Sequence, residues 1–175
     1  MSRTPRLWIP VLVGCLVAML LGPGLTAGAE PRTVVTSALL IPATAAIPTE
    51  DGQDYAMSGS SLTVGSLGGR FAVPLSFPVP VVTIRRITVY AYDNSTMGGV
   101  VITLNRSDPR YHAEAMLCQI GTTGMSLDDP RTVASSEISE PTVNTATRGL
   151  YLRISMVSAT RLYGVKILYS YETTP

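Results

Sequence analysis

Alternation of apolar and polar residues dominates the later part of the chain and predicts β-strands there. The clearest case lies between residues 84 and 92, where two sets of side chains take turns: Ile87, Val89 and Ala91 against Thr88, Tyr90 and Tyr92. A period of two places successive side chains on opposite faces of a sheet. The same alternation recurs over 150–157 and 162–171. We therefore expect strands with one buried face and one solvated face.

Turn residues separate these strands from shorter ones. Pro42, Pro48 and Pro74 interrupt the early apolar stretches, which predicts edge strands, since proline donates no N–H to a ladder. Further strands are predicted over 61–64, 100–106, 111–120 and 131–138, with a polar connection over 140–148. About eight or nine short strands without a helical stripe favour an all-β antiparallel β-sandwich, of jelly-roll or immunoglobulin-like topology. Periodicity does not give the strand order.

The phase of the alternation also predicts which side chains share a face. In the last strand one face carries apolar and aromatic residues that we expect in the core: Tyr163, Val165, Ile167, Tyr169 and Tyr171. Over 111–120, strict alternation places Leu117 and Cys118 on opposite faces.

The N-terminal segment has a different pattern, typical of a secretory signal. Arg3 and Arg6 precede an uncharged apolar run over 8–21, and a small-x-small site follows at Ala27 and Ala29. We expect a signal peptide over 1–29 cleaved after Ala29, an exposed lead-in over 30–35, and a single β-sandwich domain over 36–175. Two alternatives are an uncleaved anchor, for which the run is short, and a lipid anchor at Cys15.

Composition and net charge then indicate which classes of binding partner to expect. Cleavage removes two of the 13 basic residues, which leaves 11 against 12 acidic ones and a net charge of −1. Because no basic stripe or polybasic cluster stands out, we expect neither nucleic acid nor an anionic membrane as partner, and no membrane span in the mature form. The single mature cysteine, Cys118, excludes an intramolecular disulfide. Its apolar neighbours favour a buried, inert thiol over pairing between chains.

The sequence offers little catalytic chemistry, so we expect a protein that is not an enzyme. His112 is the only histidine and has no nucleophile elbow beside it, so a catalytic triad is disfavoured. A glycoside hydrolase with two carboxylates remains the weakest alternative. Its candidate carboxylates lie mostly in turns: Glu50, Asp51, Asp54, Asp93, Glu114, Asp128, Asp129, Glu137 and Glu140.

Two groups of residues point to binding. Tyr90 and Tyr92 share a face with Thr88 and, if that face is exposed, form a stacking surface for sugar rings. Loop carboxylates at Asp51, Asp54, Asp128 and Asp129 are candidate calcium ligands, since calcium takes six to eight oxygens. They lack the regular EF-hand spacing, so solvated turns are the alternative, and no other cofactor is predicted.

Several segments carry a resemblance to a family. They are Ile41-Pro42-Ala43, Tyr55, the Phe71–Leu75 stretch, the strand that ends Tyr-x-Tyr-Asp-Asn at Asn94, the 100–106 strand and the closing strand that ends Tyr-x-Tyr at Tyr171. With these the chain resembles a group of uncharacterised exported bacterial β-sandwich proteins. The resemblance implies a sandwich fold and export, and it supplies no catalytic residues.

Three functions follow as hypotheses. The first is a secreted, non-catalytic binding module for carbohydrate or another cell-surface component, with Tyr90 and Tyr92 in the site. The second is a structural or assembly subunit of the cell envelope, and the third is the hydrolase. Ligand and oligomeric state are left open.

Overall fold

The computed structural model describes residues 32–96, 98–122 and 130–173. They form twelve strands and one short 3₁₀ helix (Ala43–Ala45), joined by loops. In chain order the strands are β1 (Thr33–Pro42), β2 (Ile47–Pro48), β3 (Tyr55–Ser58), β4 (Ser61–Val64), β5 (Gly69–Leu75), β6 (Val81–Asp93), β7 (Val100–Asp108), β8 (Ala113–Gly121), β9 (Arg131–Ser135), β10 (Thr142–Asn144), β11 (Gly149–Met156) and β12 (Thr160–Thr173). The expected signal peptide, Asp128 and Asp129 lie outside these residues.

The strands form two antiparallel sheets. In the seven-stranded sheet the order is β10, β6, β12, β4, β3, with β1 also beside β12 and β9 also beside β6. In the five-stranded sheet the order is β2, β5, β11, β7, β8. The all-β sandwich is thus confirmed. The strands outnumber the expected eight or nine because several are short, such as β2 with two residues and β10 with three.

The core lies between the inner faces of the two sheets. Alternate residues of the long strands are almost completely buried there: Ile87 and Val89 of β6, Ile167 of β12, Ile102 and Leu104 of β7, Leu152 and Ile154 of β11. Burial of each such side chain stabilises the folded state by about 1.5–3 kcal/mol relative to leaving it exposed. These are the apolar positions that the sequence alternation predicts.

Three local expectations are wrong. The strand β1 begins at Thr33, inside the expected lead-in, because Thr33–Val35 pair with the end of β12. The expected polar connection contains β10, which pairs with Val81–Thr83. His112 lies before β8 in a tight turn with a φ of 49° and is not part of the strand. Each depends on a partner strand or turn that a local pattern does not specify.

No helix within 32–96, 98–122 and 130–173 is long and apolar enough to cross a membrane.

Candidate functional site

The two tyrosines that the sequence singles out lie on the outer face of the seven-stranded sheet. Their neighbours Val89 and Ala91 are fully buried, whereas Tyr90 is 37% exposed and Tyr92 is half-buried. The phase of β6 therefore turns both rings toward solvent. This is the arrangement that the binding hypothesis requires.

A close approach of β1 to β12 flattens the surface beside Tyr90. Gly164 is the cross-strand partner of Tyr90 on β12 and of Pro42 on β1. A Cβ at Gly164 would lie 2.8 Å from the carbonyl oxygen of Ile41, so a side chain would push β1 away. Glycine at this position both permits the strand pairing and leaves the ring of Tyr90 without a cross-strand side chain on its β12 side.

A β-bulge brings a third tyrosine to the same surface. The register of β12 against β6 shifts between Leu162 and Gly164, which leaves Tyr163 as the extra residue. Tyr163 lines an open hollow of about 280 Å³ together with Leu40, Pro42, Tyr90 and Gly164. We call these five residues the tyrosine platform. Leu40 is 70% exposed, so the platform is an open, mostly apolar surface.

Tyr92 has a different environment from Tyr90. The guanidinium carbon of Arg161, its cross-strand partner, lies 5.6 Å from the centroid of the Tyr92 ring. This cation–π contact covers one face of the ring. In the described chain no cation stacks in this way on Tyr90, so the platform, and not Tyr92, offers the accessible aromatic surface.

The sequence did not indicate Tyr163, Leu40 or Gly164 as site residues. Strict alternation places Tyr163 in the core, and that expectation is wrong because the bulge changes the phase of β12. Val165, Ile167 and Tyr169 are buried as expected. The apolar run Leu39-Leu40-Ile41, which cannot keep all three side chains on one face of a strand, was the one available signal.

Two of the four predicted calcium ligands can be placed. Asp51 and Asp54 both line a loop hollow of about 650 Å³, together with Glu50, Gln53 and Arg70. Glu50 is paired with Arg70 at 3.1 Å. Within the described residues no three histidine, cysteine or carboxylate side chains gather as a metal site. Since Asp128 and Asp129 lie outside that part, the calcium hypothesis stays a prediction.

Besides Glu50, three of the carboxylates considered for hydrolysis are engaged in structural contacts. Glu114 pairs with Arg153 at 3.0 Å, and Glu140 pairs with Arg106. The Arg106 guanidinium lowers the pKa of the Glu140 carboxyl below its usual range. Asp93 is fully buried and accepts a hydrogen bond from the hydroxyl of Thr122 at 2.6 Å. These contacts give Glu114, Glu140 and Asp93 each a structural partner.

Three solved structures to which this chain is similar have been compared with it. The CBM6 module at the C-terminus of LamC, a marine laminarinase from Zobellia galactanivorans, superposes with a TM-score of 0.50 at 12% identity, covering 75% of this chain and 98% of that chain. The carbohydrate-binding module CBM6cm-2 of Cellvibrio mixtus lichenase 5A, solved with cellotriose, gives 0.45 at 14% identity, covering 74% and 95%. The xylan-binding module CBM15 gives 0.44 at 11% identity, covering 80% and 97%.

The similarity to the LamC module supports the sandwich fold. At 12% identity it does not identify what this chain binds. No protein-family model matches the chain, and no curated protein matches it.

Proposed function

We propose that this protein is a secreted, non-catalytic carbohydrate-binding module, and that the tyrosine platform contacts the sugar. The observation that carries the proposal is the exposed ring of Tyr90, set beside Gly164, Tyr163 and Leu40 on an open face. An aromatic ring without a covering side chain stacks on the apolar face of a sugar ring. The fold shared with the LamC module supports the same class of function at the level of architecture.

Export is the second part of the proposal. Its support is the signal-like segment over 1–29, with the expected cut after Ala29. Extracellular polysaccharide is then accessible to the platform. Lipidation at Cys15 is the alternative, and it would keep the module at the cell surface.

Truncation of the two platform tyrosines tests the binding proposal. The full chain, exported from a bacterial host, is screened against soluble and insoluble polysaccharides, and affinity for any polysaccharide bound is measured by titration calorimetry. We expect Tyr90→Ala and Tyr163→Ala each to weaken binding about 30-fold, since an interfacial aromatic contributes about 2 kcal/mol. Circular dichroism and thermal melting check that each variant is folded.

Tyr111 provides a matched control. It is 74% exposed, lies in the turn between β7 and β8 and has Arg110 5.5 Å from its ring centroid. Tyr111→Ala should leave affinity unchanged. Equal losses in all three variants, or no loss in the platform variants, would remove the platform from the binding site. Adding calcium or a chelator to the same screen tests the predicted ligands Asp51, Asp54, Asp128 and Asp129.

The assembly hypothesis loses one of its two supports. Cys118 is 6% exposed and pairs across the ladder with Leu104, so its thiol is not placed to link two chains. An assembly role would then depend on a sheet face. Light scattering of the exported protein at high concentration distinguishes the two functions, because a binding module needs no self-association.

A further inference from the structure

Unpaired cations are concentrated on the same sheet face as the tyrosine platform. Six arginines of the described residues are within 4 Å of a carboxylate oxygen: Arg32, Arg70, Arg106, Arg110, Arg148 and Arg153. Arg131 also has a partner. Four other cations form no ion pair in the described chain: Arg85, Arg86, Arg161 and Lys166. We call these four the cationic row.

Strand register places the cationic row along the outer face of the seven-stranded sheet. Lys166 lies between Leu40 of β1 and Thr88 of β6, next to the platform. Arg161 is opposite Tyr92, and Arg86 is opposite Leu168. Between the Arg161 and Leu168 positions the strand advances roughly 23 Å at 3.3 Å per residue. The row therefore flanks the platform on both sides along the strands.

Arg85 is held in a fixed position at the far end of this face. It lies at the second bulge of the β6–β12 pairing, and its Nε donates to the hydroxyl of Ser170 at 2.8 Å. It lines a cleft of about 550 Å³ with Thr83, Thr142 and Tyr171. The Nε contact leaves the two terminal amino groups of the guanidinium fork available, and this fork fits an oxyanion.

Acidic side chains are scarce along this surface. Glu172 lines the cleft beside Arg85, but it is already paired with Arg32 at 3.0 Å. The strand partners along the face are otherwise apolar or hydroxyl-bearing, such as Leu40, Thr88 and Leu168. A face of one sign attracts ligands of the opposite sign and raises their local concentration.

We infer that the polysaccharide is anionic, with carboxylate or sulfate groups on its sugar rings. This inference rests on the proposed function and specifies its ligand class. Sugar rings stack on the tyrosine platform, while ring oxyanions pair with Lys166 and Arg86, which follow one another along the strands on one side of the stacking position. Arg85 receives an oxyanion further along the same chain. A ligand that spans platform and cleft is a polymer of several sugar residues.

Matched neutral and charged polymers test the inference on the full exported chain. Affinity is measured for polygalacturonate and its methyl ester, and for dextran sulfate and dextran. We expect binding to at least one charged polymer at least tenfold tighter than to its neutral counterpart. The two pairs separate carboxylate from sulfate as the oxyanion. Raising NaCl from about 0.1 to about 1 M should weaken that binding by at least tenfold, since the Debye length falls from about 10 Å to about 3 Å.

Charge variants locate the effect. Lys166→Gln, Arg86→Gln and Arg85→Gln should each weaken binding to the charged polymer by about tenfold, because a hydrogen bond to a charged group is lost. Arg85→Lys should retain part of the affinity, since charge remains and the fork is lost. Arg153→Gln, on the outer face of the other sheet, is the control and should bind as the parent protein does. Melting temperatures exclude unfolding as the cause of a loss.

Each remaining outcome has a distinct meaning. Equal binding to charged and neutral polymers overturns the inference and leaves the carbohydrate-binding proposal standing. Binding to none of the polysaccharides in either screen overturns the proposal itself. Equal binding to double-stranded DNA or to phosphatidylglycerol vesicles overturns the inference as well, because the face would then recognise negative charge without the sugar.

Discussion

Cys118 shows how position within the sandwich sets the chemistry of one residue. The side chain lies on β8 against Leu104 of β7 and is nearly inaccessible to water. Burial is the main cause that raises the pKa of the Cys118 thiol above its usual range. The hydrogen bond with Ser135 acts in the opposite direction and is the weaker influence. The expectation of a buried thiol is thus confirmed by its geometry.

A reactivity assay follows from this burial. We expect the folded protein to react with Ellman's reagent at pH 8 at least 100-fold more slowly than the protein in guanidinium chloride, because the thiolate is the reactive form and is disfavoured. The raised pKa also has a stability consequence. The stabilisation that this shift provides is present below the pKa of the thiol in the unfolded chain, about 8.5. It is lost as the pH rises through the pKa of the thiol in the folded protein. Cys118→Ala, which has no thiol, provides the baseline, and rapid labelling of the folded protein would contradict the prediction.

At the scale of elements, the two sheets are joined through a buried carboxylate. Asp93 ends β6 in the seven-stranded sheet, and Thr122 follows β8 in the five-stranded one. The Thr122 hydroxyl donates to Asp93 and accepts from the backbone N–H of Val100 at 3.0 Å. Asp93 also accepts from the N–H of Ser95 at 3.0 Å. One hydroxyl thereby connects the end of β6, the start of β7 and the end of β8.

Removing that hydroxyl should be costly. We expect Thr122→Val to lower the free energy of unfolding by about 2–4 kcal/mol, since it removes the buried hydrogen bonds that the hydroxyl makes with Asp93 Oδ2 and with the Val100 N–H. Urea denaturation measures the change. Thr63→Val is the matched control, because the Thr63 hydroxyl donates to the carbonyl of Ala56 in an exposed pair. Similar losses in the two variants would show that the connection does not hold the sheets together.

Two β-bulges explain why the sequence assigned two side chains to the wrong face of a strand. The register of β7 against β8 shifts between Leu104 and Asn105, and as a result Leu117 and Cys118 are both buried. Strict alternation would place one of them in solvent, so that expectation is wrong. The bulge at Tyr163 acts in the opposite direction and moves a predicted core residue to the surface hollow. A single extra residue changes the phase of every position beyond it.

For the whole molecule, charge is distributed unevenly although the total is close to neutral. Five of the six ion pairs of the described residues lie on the five-stranded sheet and the loops, as in Arg153 with Glu114 and Arg110 with Asp108, and the sixth joins Arg32 to Glu172 at the end of β12. The Arg110 guanidinium lowers the pKa of the Asp108 carboxyl below its usual range. The outer face of the seven-stranded sheet has cations without carboxylate partners. A net charge of −1 therefore does not describe the surface that a ligand meets.

Export also concerns the whole molecule and has a direct measurement. We expect the protein recovered from the culture medium or periplasm of a bacterial host to begin at Glu30, because Ala27 and Ala29 fit the small pockets of signal peptidase. Intact-mass spectrometry gives the answer in one spectrum. The variant Ala29→Arg is the control, since a large charged residue at the cut should block processing. A lipid-modified mass beginning at Cys15, or an uncleaved chain, would contradict this cut.

Features that depend on local periodicity could be predicted from the amino-acid sequence alone. Alternation at period two identified the long strands β6, β7, β11 and β12, the core positions within them and the all-β class, because the backbone of any strand directs successive side chains to opposite faces. It also placed Tyr90 and Tyr92 on a common face. Of the five platform residues, Tyr90 was therefore the one identified before any partner strand was known.

The positions of residues on different strands relative to one another follow from the strand pairing in the folded protein. The pairing of β1 with β12 brought Leu40 and Pro42 beside Tyr90, although about 50 residues separate them in the chain. The same register aligned Arg86 and Lys166 on one face, where the sequence shows only dispersed cations. The physical reason is that register and bulges are set by long-range packing and hydrogen bonding, which a local pattern does not contain.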